Sequence, residues 1–274
     1  MSYQKEIKNH FENQKEILFG KIEKGTWRNS EKIYSHILPE KSKILNLLPA
    51  YRNDLNIYIE NNKKSLKKHI YFHHLNSSQA MCLNFFFPLY QEKELDVILK
   101  AVGFINESVD YEKTCFEKKS EIDNVENYRP TYFDFFITTK TSKKIFFEIK
   151  YTEQEFGKAA DDAVHKTKFN EVYKGHLNVL TENFREPSIF FKNYQILRNL
   201  ICVAENSYVV FIYPLGNKKI KSQAESAKLN MLTKNLADNL INLPWENLLD
   251  YTVRNVKNEK LKLQYINFRI KFKV

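Results

Sequence analysis

Apolar and polar positions divide the chain into helical and extended stretches. Residues 3–24 set Ile7, Phe11, Ile17, Leu18 and Ile22 at loosely helical spacing among Lys/Glu pairs, which predicts an opening helix. Trp27 and Arg28 fall in a connection, Glu31–Leu38 and Lys43–Asn46 continue as helix or turn around Pro39, and Tyr51–Glu60 has no decided type. Ser77 or Ser78 suits an N-cap before the apolar run Met81–Leu89. Pro88 ends or kinks that helix, and Glu92–Val102 reads as a second one stopping at Gly103. Tyr111–Lys118 predicts a first core strand, Ser120–Arg129 a polar loop, and Phe156–Lys168 a helix. Ser188–Glu205 predicts a long helix with the stripe Phe190, Tyr194, Leu197, Ile201 and Ala204. Ser207–Tyr213 is nearly all apolar, as suits a strand covered on both faces. Ser222–Leu240 predicts a polar helix, and Trp245, after Pro244, anchors a short one. Ile266, Phe268, Ile270, Phe272 and Val274 alternate with Asn267, Arg269, Lys271 and Lys273, which predicts a half-buried strand with a cationic outer row. That row would blunt a sheet edge or contact phosphates.

Charge intrudes on the pattern between Thr131 and Glu153. Two aromatic-rich runs, Tyr132–Thr138 and Ile145–Tyr151, flank a polar link and predict a β-hairpin. Asp134 lies among Phe133, Phe135 and Phe136, and Glu148 and Lys150 bracket Ile149. Alternation puts Glu148 and Lys150 on one face, with Phe147, Ile149 and Tyr151 on the other. Pairing symmetric about Thr141 sets Asp134 opposite Glu148, with Cβ atoms roughly 5 Å apart. A one-residue slip leaves the two acids diagonal neighbours. Carboxylates that close repel unless a cation sits between them, and Mg²⁺ is the natural occupant. Lys150 would place a compact positive charge beside an attacking water or a scissile phosphate. The structural alternative is a cross-strand salt-bridge set with no activity.

Asp134, thirteen intervening residues, then Glu148-Ile149-Lys150 resembles the signature of the PD-(D/E)XK nuclease superfamily, the restriction-endonuclease-like fold. The stretch Glu107 to Tyr213 carries the likeness, while Phe133 stands where the pattern has proline and Pro130 comes earlier. The resemblance implies that Asp134, Glu148 and the Ile149 carbonyl hold Mg²⁺, with Mn²⁺ as a substitute, and that Lys150 orients the water. It implies a glutamine on the helix before the last core strand, which matches Gln195; Arg198, three residues on, would fork onto a phosphate, the alternative for both being an ordinary polar edge beside the apolar stripe. Gln79 matches a polar group on the preceding helix, with an exposed cap residue as the plainer account. Glu117, the acid nearest the site along the chain, either approaches the metal or is a solvated strand residue, and Glu153 needs a bend to reach the metal.

Composition narrows the partners. The formal charge is +10 and the pI about 9.2, which favours a polyanion, most simply nucleic acid. Residues 61–68, NNKKSLKK, form a basic stretch that contacts phosphate or is plainly exposed. His73 and His74 are adjacent, point to different sides and read as structural. Cys82, Cys115 and Cys202 are odd in number and widely spaced, as in reduced cytosolic proteins. No secretory h-region and no run of about 18 apolar residues appears, so a cytoplasmic protein without a membrane span is expected.

The expected fold is α/β, a mixed sheet in an αβββαβ restriction-endonuclease-like core with C-terminal additions. Residues 1–75 form a helical extension and 76–274 the nuclease-like domain. The expected activity is Mg²⁺-dependent hydrolysis of DNA, the preference for DNA coming from the resemblance, in a restriction or defence setting. Assembly as a two-fold homodimer stays open. The alternative is a non-catalytic basic nucleic-acid-binding protein.

Overall fold

The computed structural model describes residues 2–27 and 30–274; Arg28 lies outside them. Helix α1 (Tyr3–Phe19) starts on a Ser2 cap and buries Ile7 and Phe11. A small ribbon, β1 (Gly25–Thr26) and β2 (Ile33–Tyr34), folds back on residues 37–38. A Cβ on Gly25 would sit 2.2 Å from the Leu38 carbonyl oxygen, so only glycine lets the ribbon close there. Helices α2 (Arg52–Asn61), α3 (Ser78–Gln91) and α4 (Asp96–Ala101) lead into the sheet. Ser77 Oγ caps α3 by accepting from the Ala80 amide at 3.2 Å.

Five strands form the sheet in sequence order: β3 (Val109–Lys119), β4 (Tyr132–Thr139), β5 (Lys144–Ile149), β6 (Ser207–Tyr213) and β7 (Leu240–Pro244). The first three pair antiparallel; β6 and β7 add in parallel. Between β5 and β6 come α5 (Ala163–Lys168), α6 (Pro187–Lys192) and α7 (Tyr194–Leu200); α8 (Lys218–Ser226) joins β6 to β7. Helices α9 (Trp245–Asn255) and α10 (Glu259–Phe272) close the chain. This is the expected α/β architecture, with a core on each face of the mixed sheet.

One core packs Phe135 and Phe147 of the sheet against Phe86 of α3, Trp245 of α9 and Phe268 of α10. Ile7, Phe11, Leu47 and Phe72 belong to this same core, so segment 1–75 packs beneath the sheet rather than around a centre of its own. The other core joins Phe146 and Phe211 to Phe156, Phe190 and Leu197. Trp245 is fully buried, the anchor its sequence context predicts.

Several elements differ from expectation. Residues 266–274 are not a strand: Asn258 caps α10, which buries Leu261, Tyr265, Phe268 and Phe272 at helical spacing. Ile266 and Ile270, inward in the predicted strand, are 49 % and 51 % exposed. The stretch carries both periods, and packing against α3 and α9 selects the helical one. The predicted 188–205 helix breaks at Asn193, whose φ of −119° and ψ of 30° leave the helical region. Only Ala163–Lys168 of the predicted 156–168 helix forms, and the predicted 222–240 helix is continuous only as far as Met231, its last residue opening β7. Helix α3 continues through Pro88 to Gln91. Proline offers no amide to the Asn84 carbonyl, and Gln264 Nε2 of α10 donates to it instead, at 3.0 Å. The three cysteines are free, and no helix of the described residues is long and apolar enough to cross a membrane.

Candidate active site

The β4–β5 register pairs Phe135 with Phe147 and Phe136 with Phe146. One step further sets Asp134 opposite Glu148, the arrangement symmetric about Thr141. On the other side β3 pairs Phe116 with Phe135 and Lys118 with Phe133, which sets Glu117 opposite Asp134. Three acids on three neighbouring strands therefore stand in one row. They face a cavity of about 1020 Å³, as do Ile149, Lys150 and Gln195.

Hydrogen bonds lock the centre of this row. Asp134 Oδ2 accepts from the Ile149 amide at 2.7 Å. Glu148 Oε1 accepts from Lys150 Nζ at 2.9 Å and from Gln195 Nε2 at 2.8 Å. Gln195 Oε1 in turn accepts from Lys150 Nζ and from the Gly157 amide, both at 3.0 Å. The break at Asn193 makes this reachable: Gln195 opens the second half of the helix, where its amide donates to the Gly157 carbonyl at 2.9 Å. Trp245 Nε1 donates to the Lys150 carbonyl at 3.3 Å, pinning the strand end from the other face.

Burial and the neighbouring Glu148 and Glu117 push the Asp134 carboxyl well above the usual carboxylate range. Burial works against the Lys150 ammonium, yet Glu148, Glu153 and Asp134 together hold its pKa above the ordinary value. The acids thus crowd more negative charge than the one ammonium among them balances. Asp134 Oδ1 and Glu148 Oε2 take no protein hydrogen bond among the described residues, and both side chains line the cavity. In an extended residue the N–H and C=O share a side, so the Ile149 carbonyl faces the strand of Asp134. Two carboxylate oxygens and a carbonyl are hard donors of the kind Mg²⁺ takes, and the uncompensated charge fits a divalent ion. No three His, Cys, Asp or Glu side chains among the described residues meet as a ready-made metal cluster. Water or substrate oxygens would complete the coordination of such an ion.

Glu117 shows why the acid row is not a three-carboxylate cage. Gln79 Nε2 donates to Glu117 Oε1 at 2.7 Å, while Gln79 is itself held by the Lys67 carbonyl at 2.9 Å and the His69 amide at 2.7 Å. Gln79 is therefore a wall of the cavity and the holder of Glu117, not a free cap residue. Glu117, expected in solvent, is half-buried with φ +52°, a conformation side chains adopt at a cost. Burial, partly offset by Gln79, raises its pKa, and Glu148 adds to the rise. Sequence spacing left its approach open, because a register shift between Asp110 and Cys115 decides what faces Asp134. The chain bends after Lys150, and Glu153 Oε2 accepts from the Tyr151 amide at 2.6 Å, at the cavity wall.

Arg198 is placed elsewhere. Its Nη2 and Nε meet Asp123 Oδ2 at 2.7 and 3.2 Å, and its guanidinium lies 4.8 Å from the Tyr194 ring centre. Asp123 also accepts from the Thr131 amide and hydroxyl and from the Tyr173 hydroxyl. That buried network holds Arg198 away from the cavity lining, so a phosphate contact is not its place in this structure.

The family model described as Restriction Endonuclease associating with ARP matches residues 6–267, nearly the whole chain. The chain belongs to this family. No curated protein and no solved structure matches it. The walls of this restriction-endonuclease family member's cavity suit its charge: Lys64, Lys67, Lys68, Lys119 and Arg129 surround the acids. The basic stretch 61–68 therefore borders the site. The cavity also runs past Asn76, whose Nδ2 donates to Thr152 Oγ1 at 2.8 Å, toward Trp27, His36, Tyr71 and His74. The sequence signalled none of those four as site residues; the adjacent histidines, expected on different sides, meet edge to face, with ring centres 4.6 Å apart and ring planes 85° apart.

Proposed function

We propose that this chain is a Mg²⁺-dependent nuclease of the PD-(D/E)XK type that hydrolyses phosphodiester bonds in DNA. The observation that carries the reading is the pairing of Asp134 with Glu148 on adjacent strands, with Lys150 and Gln195 bonded to Glu148, at the base of a lysine-walled cavity. Membership of a family described as restriction endonucleases supports it.

Asp134, Glu148 and the Ile149 carbonyl would hold the ion. A bound Mg²⁺ supplies Lewis-acid polarisation of the phosphoryl oxygen and a lowered pKa for water. Lys150 is positioned to orient the attacking water and to stabilise charge growing on the phosphoryl group. Gln195 bonds both Lys150 and Glu148, so neither needs to reorganise as charge develops. Lys64, Lys67 and Lys68 neutralise backbone phosphates and release counterions. The family description also names an association with ARP, and we carry that over as a partner of the working assembly.

The test is cleavage of plasmid and of single-stranded DNA in Mg²⁺, Mn²⁺ and EDTA. Metal-dependent nicking or degradation is expected, lost in Asp134→Ala and reduced roughly 10²–10³-fold in Lys150→Ala. Cleavage that survives both substitutions would place the chemistry elsewhere. The 2.9 Å Lys150–Glu148 pair is what favours the rival reading, a binding protein whose charges neutralise each other. Salt-sensitive DNA binding with no cleavage under any metal would decide for it.

A further inference from the structure

The cavity has a second end, away from the acids, built by the β1–β2 ribbon and by residues 69–76. Trp27 and Tyr71 lie there with ring centres 5.2 Å apart, and Trp27 and His74 at the same separation. His74 stands 4.9 Å from Tyr71 and 6.5 Å from His36. Trp27 and Tyr71 are half-buried and line the cavity, so each ring is packed by its neighbours yet reaches the space. This makes an aromatic wall rather than a sealed core.

Polar atoms without partners mark the same wall. His36 is 3 % exposed and His74 6 %, and both line the cavity. His36 Nδ1 and Nε2, His74 Nε2 and Asn76 Oδ1 are buried and make no hydrogen bond among the described residues. A buried polar atom that nothing meets is costly, so four in one place point to something that does. Burial, with His73, His36, Lys8 and His69 adding to it, lowers the pKa of His74 to about 3; burial with Lys8 and Lys15 lowers that of His36 to about 4. Both imidazoles are therefore neutral at pH 7, each offering one donor and one acceptor nitrogen.

Flat aromatic faces beside a mixed set of donors and acceptors match one component of a polynucleotide. We propose that this end of the cavity takes a single nucleobase turned out of its stack, its ring against Trp27 and Tyr71 and its polar edge toward His36, His74 and Asn76. Base-on-aromatic stacking and edge hydrogen bonding are the general means by which an unstacked base is held. Asn76 is bonded to Thr152, two residues beyond Lys150, so a strand whose base enters here runs its phosphates past the acids. The proposal rests on the nucleic-acid reading of the cavity but not on cleavage.

Trp27 reports on its own occupancy, because the chain has two tryptophans and the other, Trp245, is fully buried. The full chain in EDTA is titrated with a short single-stranded oligodeoxynucleotide and with an abasic strand of equal length. The base-bearing strand is expected to quench Trp27 and to bind roughly 10-fold more tightly than the abasic one. Trp27→Ala should erase that difference in affinity, measured by anisotropy of a labelled strand. Should Trp27→Ala not fold, Tyr71→Ala carries the same comparison with Trp27 still reporting. Equal affinity for both strands, no quenching, or no binding of either overturns the proposal. Base-dependent binding without cleavage in Mg²⁺ keeps the pocket and removes the nuclease; cleavage without base dependence does the reverse.

Discussion

Asp134 concentrates the tension of the site. It is half-buried beside two other acids, and its protein relief is one amide and a lysine already bonded to Glu148. Metal should relieve the rest, so Mg²⁺ is expected to raise the Tm of the wild-type chain but not of Asp134→Asn. Differential scanning fluorimetry with and without EDTA reads this directly. Gln195→Ala leaves the ligands in place but frees Lys150 and Glu148 to move. It should weaken metal affinity or activity roughly 10–100-fold with little loss of folding, measured by metal titration of turnover. The Asp123–Arg198 pair behaves oppositely, as structure. Burial opposes the Asp123 charge, yet the Thr131 amide and Arg198 more than offset it and hold its pKa below the ordinary value. A depressed acid stabilises the fold above the usual carboxylate range, and that contribution fades as pH falls through its lowered value. Asp123→Asn should thus cost about 3 kcal/mol at pH 7, where it strands a buried guanidinium, and less near pH 3. Urea unfolding at the two pH values checks the sign.

At the scale of elements, the C-terminal segment is the sharpest case. Ile266, Phe268, Ile270 and Phe272 alternate as a strand would, but the same residues also fit a helix that buries Phe268 and Phe272 alone. Substitution separates the two. Ile270→Lys on the open face should change stability by no more than about 0.5 kcal/mol, whereas Phe268→Ala should cost about 3–5 kcal/mol. Comparable losses at both positions would indicate strand-like packing. The β4–β5 hairpin is the contrary case, legible from the chain because its link is short and its two runs are aromatic, which leaves little choice of register. Strand β7 was not legible: LINLP is short, and its pairing partner, β6, lies 27 or more residues earlier in sequence.

Over the whole molecule, the net charge of +10 has a place to act. The basic side chains at the cavity mouth come from segments far apart, Lys64, Lys67 and Lys68 from one and Lys119 and Arg129 from others. Each that meets a phosphate adds to the salt dependence of binding. Replacing both Lys64 and Lys67 by alanine should lower the slope of log affinity against log salt by about 2, with the change shared by all DNA sequences. Unchanged slopes would remove residues 61–68 from the interface. The N-terminal segment is part of this design, because it packs into the sheet's own core and brings its aromatic ribbon to the far wall of the cavity.

The amino-acid sequence alone determined the hairpin, the facing of Asp134 and Glu148, and the company of Lys150. Those depend on alternation and on a tight link, which are properties of neighbours in the chain. Gln195 was reachable because its likeness to a known family supplied the missing distance information. Tertiary structure decided the rest: that Glu117 joins the row, that Arg198 turns to Asp123, that the last segment is helical, and that Trp27 and His74 share a cavity with the acids. Each of these is a contact between segments whose approach is set by packing and burial, and no local pattern of residues encodes which distant surface a side chain will meet.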